Sequence, residues 1–190
     1  MKIGGVLLAS GAGTRFGGNK LLVPVDGVPL YRRAMAALAG AGLDRLAVCS
    51  ACEEVLSTGA EYGFLPLCNP GAAEGVSASI RLGLSAMDGM DGVLFSVCDQ
   101  PWLTTESIIR LKNAFLESKT ALCALSWRGV RGNPVIFPRD LFGELAALTG
   151  DTGGSTVLRA HPDRLRLVEA TSPRELLDVD TPEDLTRSKL

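Results

Sequence analysis

Histidine is nearly absent from this chain of 190 residues: His161 is the only one. Of the five cysteines, only Cys49 and Cys52 have C-x-x-C spacing, so the second pair that a four-ligand structural zinc site normally needs is missing. Cys49, Cys52, Cys68, Cys98 and Cys123 are therefore expected to be reduced and structural. A basic excess is missing too, with 19 Lys and Arg against 21 Asp and Glu, which argues against a nucleic-acid partner. No apolar run reaches the length of a membrane span, and Met1-Lys2-Ile3 enters a strand pattern rather than a signal peptide. A cytoplasmic location with no membrane partner is the expectation. Aromatics are few, at 5%, but hydrophobic residues make up 46%, ample for a buried α/β core. The length favours a single domain over 1–190.

What is present begins at the N-terminus. An apolar run, residues 3–9, reads as a buried strand and empties into Ser10-Gly11-Ala12-Gly13-Thr14-Arg15-Phe16-Gly17-Gly18-Asn19-Lys20. Glycines let backbone N–H groups approach an anion without a Cβ in the way, and successive N–H groups form a concave anion site. Arg15 adds a planar fork and Lys20 a point charge. This is the composition of a phosphate-binding loop. It is not the dinucleotide fingerprint, because Gly17 arrives one residue late and the next strand, ending in Cys49-Ser50, offers no carboxylate for a ribose. It is not a P-loop either, since Gly13 to Gly18 is followed by Asn19, Lys20 and Leu21. A nicotinamide dehydrogenase is disfavoured on the same grounds.

Further along, apolar strands alternate with helical patterns, the mark of a mostly parallel sheet covered by helices. Strands are expected at 46–50, 64–68, 93–98 and 121–127, and a tight Asp26-Gly27 turn between short extended arms. Helices are expected over 30–41, from Thr104 with Ile108, Leu111 and Phe115 inward, and over 141–148. After the third strand, Asn69-Pro70-Gly71 leads into a helix with Ile80, Leu84 and Met87 on its apolar face. Ser77 and Ser79 fall in its first turn, where free N–H groups favour an anion. Asp99-Gln100-Pro101 follows the strand 93–98 at its C-terminal end, where open α/β sheets bind ligands. Mg²⁺ takes one or two carboxylates plus substrate phosphates, and Asp99 is the first candidate ligand. Leu177-Asp178-Val179-Asp180-Thr181-Pro182 ends in a helix start. Side chains alternate along its extended part, and one aspartate only is expected to face the site.

The loop pattern L-x-x-G-x-G-x-R with a following lysine, as Leu8 to Lys20, resembles the signature of nucleotidyltransferases with a Rossmann-like core. Arg15-Phe16-Gly17-Gly18-Asn19-Lys20-Leu21-Leu22 is most similar to the MobA-like group that includes molybdenum cofactor cytidylyltransferases. Asn69-Pro70 with Gly75-x-Ser77-x-Ser79, Asp99-Gln100-Pro101 and Asp178-Val179-Asp180 resemble further motifs of that group, in order along nearly the whole chain. The resemblance implies a three-layer α/β/α, Rossmann-like fold. It implies a Mg²⁺-dependent transfer in which Leu8, Ala9, Gly11, Ala12, Gly13, Thr14, Arg15, Lys20, Ser77 and Asp99 bind an NTP. Asp99 and Asp180 then hold the metal, and Arg15, Lys20 and Asp99 are catalytic. The acceptor side falls to Ser79, Asn133, Asp151 and Gly153. CTP is the favoured NTP and molybdopterin the favoured acceptor, with GTP or another NTP as the alternative. A molybdenum hydroxylase is a possible protein partner, and a cofactor carrier without transfer activity is a second reading. Two departures stand out. Asn133 replaces the histidine of G-x-x-G-H-P-V-x-F and cannot titrate, and Ser155 replaces the arginine of G-D-x-G-A-R, removing a fixed cation.

Overall fold

The alternation of side chains in β1 (Ile3–Ala9) sorts the core into two halves. Ile3 and Leu7 join one buried cluster and Val6 the other, as period-two geometry requires of a strand covered on both faces. In the computed structural model, which describes residues 1–10, 19–181 and 183–184, the chain next makes a small hairpin of β2 (Pro24–Val25) and β3 (Val28–Pro29). Asp26 and Gly27 both lie at positive φ, +50° and +80°, the requirement of a type I′ turn. Then follow α1 (Leu30–Ala39), β4 (Arg45–Ser50), α2 (Glu53–Glu61), β5 (Leu65–Cys68), α3 (Val76–Ser85), β6 (Gly92–Val97) and α4 (Thr105–Ser118). The last part contains β7 (Leu122–Trp127), β8 (Val130–Pro138), α5 (Phe142–Ala146), α6 (Ser155–Ala160) and β9 (Leu165–Glu169).

Seven strands form one sheet in the order β5-β4-β1-β6-β8-β7-β9. β8 pairs antiparallel with both of its neighbours, and every other pairing in the sheet is parallel. Tyr31, Met35 and Leu38 of α1, Val55 of α2, and Ile108, Leu111 and Phe115 of α4 pack on one face with Leu7, Val48 and Leu94. Ile80 of α3, Leu145 of α5 and Val157 of α6 pack on the other with Val6, Val93, Phe95 and Phe137. This is the expected three-layer α/β/α arrangement with a mostly parallel sheet. No helix of the described residues is long and apolar enough to cross a membrane.

The expected strands are all found, with ends moved by about one residue. Two elements were not expected. α2 carries Gly59 in its interior, which weakens a helical pattern; the structure needs it, because a Cβ there would lie 2.6 Å from Val48 Cγ1. β9 is an edge strand in partial contact with solvent, and its apolar alternation is correspondingly faint. The expected helix start at Pro182 lies outside the described residues, although Asp184 accepts hydrogen bonds from Thr181 N at 2.8 Å and Thr181 Oγ1 at 3.0 Å.

Candidate active site

The chain runs from β1 outward to β4 and β5, then returns to β6 on the opposite side of β1. That reversal opens a crevice at the C-terminal ends of β1 and β6, where ligands of open α/β sheets bind. Two cavities occupy it, of about 460 Å³ and about 470 Å³. Leu8, Val76 and Val97 line both, so the two form halves of one trough.

The first half holds Lys20, Asp99, Ser79, Ser10 and Asp151. Asp99 is delivered by the buried strand β6. Lys20 opens a short 3-10 turn, Lys20–Leu22, whose N-cap Asn19 accepts from Leu21 N at 3.1 Å. The Lys20 ammonium donates to Asp99 Oδ2 at 3.2 Å and to Asp180 Oδ1 at 2.7 Å. Burial works to lower its pKa, but the hydrogen bonds and charges of Asp180 and Asp99 outweigh it and hold Lys20 above the usual lysine value. Three residues expected from the sequence to meet at one site, Lys20, Asp99 and Asp180, are thus in direct contact.

Among the described residues Asp99 Oδ1 is buried without a hydrogen-bond partner, and two carboxylates share the Lys20 ammonium. No cluster of three or more His, Cys, Asp or Glu is found among the described residues, so no all-protein metal cage exists there. Two converging carboxylates with an unpartnered oxygen suit a hard divalent cation that draws its remaining ligands from phosphate and water. The residues fit a Mg²⁺-type ion.

The expectation that only one of Asp178 and Asp180 reaches the site is corrected. Residues two apart in an extended segment share a side. Val179 between them is buried against Val25 and Leu30, with its N–H donating to Asp99 O at 2.8 Å. Both carboxylates therefore reach the site, Asp180 through its contact with Lys20 and Asp178 in the cavity wall. Asp178 receives Gln100 Nε2 at 2.9 Å and lines the second half. Burial first, and then the charge of Asp99, raise its pKa above the usual carboxylate value.

Ser77 and Ser79, two apart on α3, point to nearly opposite sides of the helix. Ser77 is buried, lines neither cavity, and accepts from Arg81 Nη1 at 3.1 Å. Ser79, expected on the acceptor side, lines the Lys20 half and accepts from Asn69 Nδ2 at 2.9 Å. Asn69 also donates to Ser10 Oγ at 3.3 Å, and Ser10 donates to Cys49 O at 3.1 Å. Asn69 and Ser10 thereby tie the ends of β1, β4 and β5 to α3. Ser10 was not singled out from the sequence; its position directly after β1 was the available signal.

Asp151, also assigned to the acceptor, lines the Lys20 half as well. The reason is the docking of residues 150–151 on the start of α3, where Ser77 N donates to Gly150 O at 3.2 Å. Gly75 makes this contact possible: its φ is +104°, and a Cβ would lie 2.5 Å from Gly150 C and O. Gly75→Ala is expected to cost about 2 kcal/mol from backbone strain and overpacking, read as a lower urea midpoint with an unchanged slope.

Asn133 and Gly153 line the second half together with Gln100, Arg131, Ser155 and Asp178. Leu8, Phe95, Val97 and Phe137 form its apolar floor. Along β8, the four steps from Val135 to Arg131 face only two steps of β7, from Ala124 to Ser126. Such bulges re-aim side chains beside sites, and residues 132–133 form a wall of the cavity. Leu8 lines both cavities, while Ala9 is buried in the core. The expectations on Gly11, Ala12, Gly13, Thr14 and Arg15 lie outside the described residues.

All five cysteines are free. Burial pushes the Cys49 thiol up to about 12 and Cys123 to about 11, and raises Cys98 as well. These thiols are poor nucleophiles at neutral pH.

A Rossmann-like sheet with a cationic and acidic cluster at its switch point defines a nucleotide-binding α/β protein. The match to the MobA-like NTP transferase domain over residues 5–165 places this chain in that family, and it is an NTP transferase. It is 28% identical to the purine catabolism protein PucB of Bacillus subtilis, over 95% of this chain and 92% of PucB. It is 27% identical to the nicotine blue oxidoreductase of Paenarthrobacter nicotinovorans, over 96% of this chain and 94% of that protein. The molybdenum cofactor guanylyltransferase of Rhodobacter capsulatus is 27% identical, over 100% of this chain and 96% of that enzyme. Among solved structures, Rv0371c of Mycobacterium tuberculosis matches with a TM-score of 0.81 and 28% identity, covering 98% of this chain and 96% of that one. Rv0371c has also been solved in complex with manganese, a structure matching at 26% identity and a TM-score of 0.80 over 98% of this chain and 97% of that one.

Proposed function

We propose that this chain is a Mg²⁺-dependent, cytoplasmic cytidylyltransferase that transfers CMP from CTP to the phosphate of molybdopterin. One observation carries the reading: Lys20 stands between Asp99 and Asp180 at the switch point of the sheet, next to a second cavity that opens on the same trough. The nucleotide lies in the Lys20 half, and the acceptor in the half lined by Asn133, Gly153 and Asp178. A phosphate oxygen of the acceptor attacks the α-phosphorus of the NTP, the bond from that phosphorus to the bridging oxygen of the β-phosphate breaks, and pyrophosphate leaves. Lys20, with Arg15 and the loop amides, holds the β and γ phosphates and stabilises the charge gathering on the leaving group. Asp99 and Asp180 are the metal ligands, and Mg²⁺ held there supplies Lewis-acid neutralisation of phosphate charge. A phosphate monoester needs no strong base to act as a nucleophile, which accords with a chain that has one histidine and has Asn133 in place of the family histidine. Positioning across the two halves of the trough does the rest.

The molybdenum cofactor acceptor is supported by the name of the Rhodobacter relative. Preference for CTP rests on Gly75-x-Ser77-x-Ser79 and Asp99-Gln100-Pro101, and GTP is the alternative, because that same relative is a guanylyltransferase. The test is incubation with molybdopterin, Mg²⁺ and each of four α-³²P-labelled NTPs. Label is expected in a dinucleotide from CTP. Label from GTP alone would keep the chemistry and change the product, and no label from any NTP would overturn the reading in favour of a carrier.

A further inference from the structure

The proposed acceptor carries a phosphate, and Ser155 brings no charge to the cavity it lines. The cavity lined by Ser155 is also lined by Arg131, and no other lysine or arginine lines it among the described residues. Arg131 lies at the start of β8, where the bulged register begins. Its guanidinium makes no hydrogen bond or ion pair with any described residue. The acid in the same cavity, Asp178, receives Gln100 Nε2 at 2.9 Å and forms no ion pair with Arg131. The contrast with the Lys20 half is clear: there the one cation is held by two carboxylates, whereas here the one cation is unengaged.

We propose that Arg131 binds the phosphate monoester of the acceptor. The inference rests on the two-half reading of the trough given above. A guanidinium can engage two phosphate oxygens at once through its planar fork. An unpaired one at the wall of an apolar-floored cavity of about 470 Å³ needs no ion pair broken before it does so. The cavity thus combines an apolar floor for a ring system with a single cation for a phosphate.

Equilibrium binding to the intact chain, without nucleotide or metal, tests this independently of turnover. The probes are 6-hydroxymethylpterin, its phosphate monoester and ribose 5-phosphate. The wild-type chain is expected to bind the pterin phosphate about 10- to 100-fold more tightly than the unphosphorylated pterin, the range of one charge-assisted, bidentate contact. Arg131→Ala is expected to erase that difference while leaving affinity for the unphosphorylated pterin, the thermal midpoint and Mg²⁺-dependent CTP binding within twofold or 2 °C, all as order-of-magnitude bounds about a solvent-exposed substitution. Adding Ser155→Arg to Arg131→Ala is expected to restore part of it, which a merely structural role for Arg131 would not do. If Arg131→Ala keeps the full preference for the phosphorylated pterin, or the wild type has none, the proposal is overturned. Should neither pterin bind while ribose 5-phosphate binds in an Arg131-dependent way, the Arg131 assignment stands and the pterin acceptor falls. Absence of binding by both phosphate monoesters overturns the assignment.

Discussion

Replacing Asp99 with asparagine is expected to lower kcat for nucleotidyl transfer by about 10³-fold, the scale of losing one preorganised charge-stabilising group. Asparagine preserves the shape at the end of β6, so the backbone link from Asp99 O to Val179 N, 2.8 Å long, survives. What changes is charge. The two carboxylates that converge on Lys20 become one carboxylate and an amide, and the oxygen that has no partner among the described residues becomes a poorer ligand for a hard cation or is replaced by a donor. The effect is expected in kcat and in the metal requirement, with KM for the acceptor changed less than threefold because Asp99 does not line the acceptor half; that bound is an order-of-magnitude one about uniform binding. Steady-state kinetics across a Mg²⁺ titration read both numbers. A variant with kcat within about threefold of wild type would remove Asp99 from the machinery.

Truncating Glu175 is expected to give the largest loss of stability outside the apolar core. Its carboxylate, 1% exposed, accepts from Thr104 N at 3.0 Å and Thr104 Oγ1 at 2.8 Å on one oxygen. The other oxygen accepts from Thr171 N at 2.8 Å, Ser172 N at 3.0 Å and the Thr171 hydroxyl. Thr104 is the N-cap of α4. The hub therefore joins the start of that helix to the segment that carries Asp178 and Asp180 into the site. Glu175→Ala leaves several buried donors unpaired and should cost about 4 kcal/mol, or about 10 °C in Tm for a chain of this size. Transfer activity should fall at temperatures where the chain remains folded, since the two aspartates lose their anchor.

The same carboxylate predicts a pH dependence. Burial works to raise the Glu175 pKa, but the hydrogen bonds from Thr171, Ser107 and Thr104 outweigh it and hold the group below the usual glutamate value. A depressed folded-state pKa contributes stability that is complete above the unfolded value, about 4.3, and is lost as pH falls through the folded value. The stability gap between wild type and Glu175→Ala should stay constant from pH 7 down to about pH 5 and narrow at lower pH. A gap that widens below pH 4 would contradict the account.

Much of this site was legible because its parts end contiguous apolar strands. Asp99 follows a run buried in the central strand, and Lys20 follows a glycine-rich loop after another, so their chemistry could be read from position. Asn133 and Gly153, far apart in the sequence, line one cavity. What was less legible depends on direction rather than identity. Ser77 and Ser79 differ by a half-turn of helix phase, and Asp178 and Asp180 share a side because they are two apart. Asp151 lines the Lys20 half because Gly75 lets its loop pack on α3. The Glu175 hub spans 71 positions to Thr104, a pairing that no local pattern displays, although Ser172-Pro173-Arg174-Glu175 is a visible capping box. α2 was hidden by Gly59, which serves a contact with β4 rather than helix propensity.

The claim that Lys20, Asp99 and Asp180 form a metal-assisted nucleotide site is tested most directly by thermal shift of the full chain with CTP, GTP, ATP and UTP, each with and without Mg²⁺. A ligand binding only the native state raises stability by about RT ln(1 + [L]/Kd), close to 2.7 kcal/mol at a hundredfold excess over Kd. The account predicts a rise in Tm with CTP that requires Mg²⁺ and disappears in Asp99→Ala. A CTP shift of equal size without Mg²⁺, or one retained in Asp99→Ala, would contradict it.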